Sequence, residues 1–281
     1  MAGGTWSTQN KVLPGVYIRF QSTSGANLTV GERGTVAICE PMSWGPVGQV
    51  MTVEAGADTT PYCGYDITNA KAMFLREIFK GTNVTGAPTK VLLYRPSADS
   101  SAQAKASITP LTVTAKYPGV RGNDISVSVT ALTEPEDSFT VSTIVDGAVV
   151  DSQTAATVAN LVENDWVTFS GTGALAANTG TALSGGLDGT VQAAAYSTFL
   201  TNIEPYQFDI LIYDGTDSTV QTAYVSFIKR MCEENGKWCQ LVASGLKNPD
   251  SNYVINVQNG VILDDGTTLT PAQVTWWLGG A

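Results

Sequence analysis

A chain of 281 residues has room for two or three domains and a sizeable core, and its 43% apolar content is that of an ordinary globular protein. Charged residues are sparse at 14%, and 15 basic against 25 acidic residues leave a net charge of −10. That balance argues against direct nucleic-acid binding or attachment to an anionic membrane, both of which need clustered Lys and Arg. The complete lack of histidine removes the commonest general base and metal ligand. No apolar run approaches the ~20 residues of a membrane-spanning helix. The N-terminus lacks the basic start and apolar core of a secretory signal, so synthesis in the cytoplasm is the expectation.

In chain order, Met1 to Asn10 carry no pattern of their own apart from Trp6. Between residues 11 and 20, Val16, Ile18 and Phe20 alternate with Tyr17 and Arg19, which predicts an extended arm with one apolar face. Pro14-Gly15 supplies a joint. Such a strand has unpaired edges and needs a sheet to join, in its own body or in a neighbouring subunit. Residues 21–34 read as a loop. Residues 35–40 form a nearly continuous apolar run, the pattern of a strand covered on both faces. Pro41, Gly45, Pro46 and Gly48 then break the chain, with Trp44 expected at the edge of the core. The spacing of Ile67, Ala70, Phe74, Leu75 and Ile78 predicts a helix over 67–80, with Asp66 as N-cap and Gly81 as stop. A second buried strand at 90–94 makes a right-handed parallel crossover.

From about residue 107 to 188 the character changes to Thr, Val, Ser, Gly and Ala in short alternating runs. Val127 and Val129 alternate with Ser126, Ser128 and Thr130; a second run covers 139–144, and Asp146-Gly147 supplies a hairpin turn. A short helix is expected at 155–162 and a further strand at 166–169. The pattern is that of a small antiparallel β-sandwich. Strand and helix then alternate again. Thr190 is expected to cap a helix reaching 203, followed by a strand at 208–213. Val220, Tyr224, Phe227 and Met231 mark the best amphipathic helix. Strands follow at 240–243 and within 253–263, and Thr270-Pro271-Ala272-Gln273 is a capping box with Pro at N1. The helix it opens carries Val274, Trp276, Trp277 and Leu278 with no partner after it, so a truncated chain is the expectation.

Few groups suggest chemistry. Asp209, Asp214 and Asp217 sit around one apolar strand, where α/β folds often place ligands. They read either as a metal or phosphoryl-transfer site or as a turn at Asp214-Gly215 with Asp217 capping the next helix. No Lys or His nearby completes a catalytic set. Asp264-Asp265-Gly266 matches a turn and offers too few oxygens for calcium. Cys39, Cys63, Cys232 and Cys239 have no Cys-x-x-Cys spacing and read as buried free thiols. Tyr117-Pro118-Gly119-Val120-Arg121-Gly122-Asn123-Asp124 is not a phosphate cradle; it reads as a fixed turn with Arg121 and Asp124 as an exposed pair. Catalytic, cofactor and metal sites are all expected to be absent.

Pro14-Gly15-Val16-Tyr17, Arg33-Gly34-Thr35-Val36-Ala37 and the stretch from Lys116 to Ile125 resemble motifs of the contractile-tail sheath proteins of bacteriophages and phage-derived bacteriocins. The resemblance runs from about residue 11 onward, and its most specific motif is Tyr-Pro-Gly-x-Arg-Gly-Asn-Asp. It implies an α/β core domain (21–97 and 190–281) interrupted by an inserted antiparallel β-sandwich domain (98–189), with an extended N-terminal arm (1–20). The arm, through Val16, Tyr17, Ile18, Arg19 and Phe20, would add a strand to an adjacent subunit. The implied partners are identical sheath subunits, the inner tail tube protein, and baseplate and tail terminator proteins, with no direct nucleic acid and no membrane insertion. The implied setting is the host cytoplasm during assembly and the virion tail or bacteriocin particle afterwards. The rival expectations are an α/β hydrolase or phosphatase using the three aspartates, and a monomeric surface-binding module.

Overall fold

The computed structural model describes residues 34–82, 86–134, 137–247, 249–263 and 266–281. The predicted arm, Asn83-Val84-Thr85 and the Asp264-Asp265 pair lie outside the described residues. Strand β1 (Thr35–Cys39) is followed by β2 (Val50–Glu54), the short helices α1 (Thr60–Cys63) and α2 (Met73–Ile78), and β3 (Lys90–Tyr94). The next seven strands are β4 (Lys105–Ile108), β5 (Leu111–Ala115), β6 (Ile125–Ala131), β7 (Phe139–Val145), β8 (Ala148–Ala155), β9 (Val167–Gly171) and β10 (Asn178–Ala182). The chain continues through α3 (Ala193–Ile203), β11 (Ile210–Tyr213), α4 (Ser218–Glu233), β12 (Gln240–Ser244), β13 (Val254–Val257), β14 (Val261–Ile262), β15 (Thr268–Leu269) and α5 (Pro271–Gly280).

One six-stranded sheet runs β13-β12-β11-β1-β3-β2, parallel except for β2 against β3. The chain leaves β1 toward β3 on one side and leaves β11 toward β12 and β13 on the other, so the β1/β11 boundary is the switch point of a doubly wound sheet. Alternate residues of β1 supply two cores. Ala37 and Cys39 face Phe199, Tyr224 and Met231 of α3 and α4, whereas Val36 and Ile38 face Phe74, Leu75 and Trp276 of α2 and α5. Being covered on both faces is why these strands read as continuous apolar runs.

The inserted strands form a four-stranded sheet, β10-β6-β7-β8, and a three-stranded one, β4-β5-β9, all antiparallel. Val127, Val129 and Val141 from one sheet meet Ile108, Val113 and Val167 from the other in a single core. Asp146 and Gly147, with φ of 53° and 79°, make the tight turn between β7 and β8. The two crossings between body and insert run side by side, bridged at Asp99–Thr190, Ala102–Leu187 and Lys105–Ser184. All described residues belong to one compact unit, Arg33–Ala281.

Several predicted elements are displaced. The helix expected over 67–80 shrinks to a 3-10 turn at Ala70–Ala72 and α2. Asp66 Oδ1 accepts from the backbone N–H and hydroxyl of Thr68, and Asn69 Oδ1 accepts from the Lys71 N–H, so these side chains hold the entry in turns. Thr190 caps nothing: its N–H and carbonyl are tied to Asp99 in the crossing ribbon, and α3 starts at Ala193. The helix expected at 155–162 is only a 3-10 turn at Val158–Asn160, because β8 stays paired to β7 through Ala155. Strand β2 was not expected. Helix α5 finds its partners in the preceding chain: Trp276 packs edge-on against Phe74 at 6.4 Å, and the Trp277 indole donates to the Gly81 carbonyl at 3.2 Å.

Candidate functional site at the junction of body and insert

The seam between the six-stranded body and the inserted sandwich is where buried charge concentrates. Arg95 follows β3 and is 3% exposed; its guanidinium donates to the Gly45 carbonyl at 2.8 Å and to the Pro118 carbonyl of the insert at 2.7 Å. Both acceptors are neutral, and burial lowers the Arg95 pKa to about 10. Arg121, from the insert, is 4% exposed and donates through Nε to the Gly64 carbonyl of the body at 2.9 Å. Its two terminal nitrogens grip Asp146 at 2.8 and 2.6 Å, and Nη1 also reaches Asp124 at 3.0 Å. Its plane lies over Tyr65 at 4.3 Å and Trp166 at 5.5 Å. Burial opposes the Arg121 charge, but the hydrogen bonds to Asp146 and Asp124 outweigh it and raise the pKa; the same bond holds Asp146 below the usual carboxylate range. The Arg121–Asp124 pair expected from the sequence forms, but its exposure is corrected: Arg121 is buried, and a lysine could not make this planar fork.

Neighbouring groups complete the seam. Asp188 accepts from the Ser43 hydroxyl of the body at 3.0 Å and from the Val120 N–H at 2.8 Å. Trp44, in the body loop, packs against Tyr117 and Trp166 with ring centroids 5.3 and 4.9 Å away, and so belongs to the core of the insert. Gly119 has φ of +133°, and a Cβ there would lie 2.0 Å from the Ser43 carbonyl oxygen, so the body approaches too closely for any other residue. The motif from Tyr117 to Asp124 is therefore a rigid coupling plate.

The coupling motif and its surroundings match known proteins throughout. Family models for the phage tail sheath protein match in three consecutive parts: the Gp18 domain III N-terminal region over residues 33–95, the beta-sandwich domain over 99–188 and the central domain over 189–281. The chain belongs to the phage tail sheath family. The Bacillus subtilis phage-like element PBSX protein XkdK is 32% identical across the whole of this sheath-family chain, and the protein YqbK of the same organism is 35% identical. The chain spans 63% of the length of each. Among solved structures, the sheath tail protein of Desulfitobacterium hafniense shares 41% identity with a TM-score of 0.84, covering 95% of this chain and 61% of that one. The sheath tail protein of Listeria innocua shares 33% with a TM-score of 0.76, covering 89% and 56%.

Within this sheath fold the three aspartates of the enzyme reading do not converge. Asp209 precedes β11, where its Oδ2 accepts from the N–H groups of Gly34 and Thr35 at 2.9 Å. Asp214 follows the same strand, about 16 Å away at ~3.3 Å per residue. Asp217 caps α4, accepting from Thr219 and Val220. Among the described residues no group of three or more His, Cys, Asp or Glu is arranged to hold a metal ion. Extending the β1/β11 register from Ile38 and Ile212 places Glu40 beside Asp214 at the switch point. Burial raises both carboxyls, and the neighbouring Asp214 charge raises Glu40 further. Asp214 accepts from the Trp276 indole at 2.9 Å, and Trp276 packs against Phe74 alongside the pair. This juxtaposition was not legible in the sequence, because Glu40 and Asp214 are brought side by side only by the pairing of β1 with the distant β11.

Proposed function

We propose that the chain is a structural subunit of a contractile tail sheath that polymerises in hexameric rings around an inner tube and contracts to drive the tube through a cell envelope. The observation that carries this reading is the double-arginine seam. A lattice converts rearrangement of its contacts into axial movement only if each unit moves as one block. Arg95 and Arg121 tie the insert to the body through opposite sides of the same seam, which supports rigid-body motion of the unit. Energy release then resides in the difference between two sets of contacts among subunits.

In this proposal residues 1–20 are the arm, 21–97 with 190–281 the body, and 98–189 the insert. Val16, Tyr17, Ile18, Arg19 and Phe20 add a strand to a neighbour's sheet; among the described residues the six-stranded sheet ends in β13 on one side and β2 on the other. Identical subunits, the inner tube, the baseplate and the tail terminator are the partners. The subunit assembles in the host cytoplasm and ends in a virion tail or bacteriocin particle, a contractile injection system. The net charge of −10 suits a shell without direct nucleic-acid contact.

Deleting residues 1–20 tests the arm. The expected product is a folded monomer by sedimentation that forms no sheath in negative-stain images, while the unaltered chain associates. Normal sheaths from the deletion would overturn the arm's role.

A further inference from the structure

Cys232 and Cys239 lie seven positions apart, yet the structure brings their sulfurs to 3.8 Å. Cys232 is in the last turn of α4, and Cys239 directly precedes β12. The segment between them is tightly held. The N–H groups of Glu234 and Asn235 donate to the Arg230 carbonyl, and the Lys237 N–H donates to Met231, while Gly236 takes a positive φ of 65°. The Lys237 ammonium is anchored on the carbonyls of Glu204 and Tyr206. Cys232 Sγ also points at the Cys239 carbonyl, 3.2 Å away. The thiols are thus pre-aligned by backbone on both sides, and closing the gap to the ~2.05 Å of a disulfide asks for side-chain rotation.

The pair is also reachable. Both cysteines line a groove of about 550 Å³ together with Asp209, Tyr253 and Trp238, a residue 92% exposed. Cys232 is partly buried and Cys239 buried. We propose that Cys232 and Cys239 are a redox-active dithiol that closes to a disulfide when the chain meets an oxidising low-molecular-weight disulfide. The Cys232 thiolate attacks one sulfur of the external disulfide, forming a mixed disulfide and expelling one thiolate. Cys239 then gives its proton to solvent, attacks Cys232 Sγ and expels the second thiolate. Two protein thiols are oxidised and one external disulfide is reduced to two thiols, so atoms and electrons balance. Cys232 is the more exposed of the two thiols and so meets the external disulfide first, leaving the second, intramolecular step to the buried Cys239.

The dithiol chemistry stands independently of the sheath reading; only its timing rests on it, since a particle leaves a reducing cytoplasm for an oxidising exterior. The test treats the purified chain with oxidised glutathione, denatures it, labels free thiols with a maleimide and counts labels by mass. The reduced chain carries four cysteines, so four labels fall to two on oxidation, and trypsin yields residues 231–237 joined to 238–247. Cys239→Ser should instead retain glutathione on Cys232, and Cys232→Ser should keep all three of its labels. Four labels on the oxidised native chain, or glutathione persisting on native Cys232, would overturn the proposal. Neither outcome depends on polymerisation, which the arm deletion reads separately.

Discussion

In the α/β body both faces of the sheet are covered, and a polar side chain placed among its strands has nowhere to turn. Polar groups at its strand ends and on its covering helices likewise find partners there: Asp214 accepts from the Trp276 indole at 2.9 Å, Glu77 takes Arg76 and Lys80 at 3.4 Å, and Gln221 donates to the Ser244 carbonyl at 2.9 Å. The inserted sandwich sends its Ser and Thr side chains to the wet face of each strand, leaving Thr143 as the buried polar residue of its sheets. Among its described residues the one buried charge, Arg121, sits at the rim where it meets the body. The contrast teaches that the insert keeps its buried charge for attachment, whereas the body divides its own between that seam, through Arg95, and its interior.

The sharpest way to break this comparison is Trp44→Ala. Trp44 is 1% exposed and comes from the body, but it fills the core of the insert. Its loss should cost ~3–5 kcal/mol in denaturant unfolding and loosen both parts together. An insert that keeps its native melting while only the body weakens would separate the two. Next, Arg121→Ala should cost ~2 kcal/mol, below the figure for a fully buried ion pair, because Asp124 and Asp146 are half-exposed and regain water. Arg121→Lys should recover little of that loss, and full recovery would mean the planar fork and ring stacking are unimportant.

Glu40→Gln probes the body's interior. Glu40 stays protonated in the fold above the ordinary carboxylate range, so the native chain binds a proton that the unfolded chain has released. Its contribution to stability is complete below that ordinary range and is lost as pH rises through the raised value. The Gln variant should therefore melt at a temperature less dependent on pH, with its advantage widening on the alkaline side; parallel profiles would overturn the raised Glu40 carboxyl. Asp217→Ala is the mildest change, ~1 kcal/mol for a lost helix cap. A larger loss would give Asp217 a role beyond capping α4.

The sequence alone determined the alternation of periods. Continuous apolar runs marked strands covered twice, period-2 runs marked the sandwich, and the Thr270–Gln273 capping box and the Asp217 cap were readable because their partners lie within three residues. The motif from Tyr117 to Asp124 was visible as a constrained turn, yet its purpose was not. Arg121 acquires its meaning from Gly64 and Asp146, 57 and 25 residues away, and Glu40 from Asp214 across the sheet. Helix length at 67–80 likewise depended on side chains competing for backbone N–H groups, which periodicity does not register. Local hydrogen bonding and burial patterns are written in neighbouring residues; the pairing of distant charges is decided only when the chain folds back and removes water from between them.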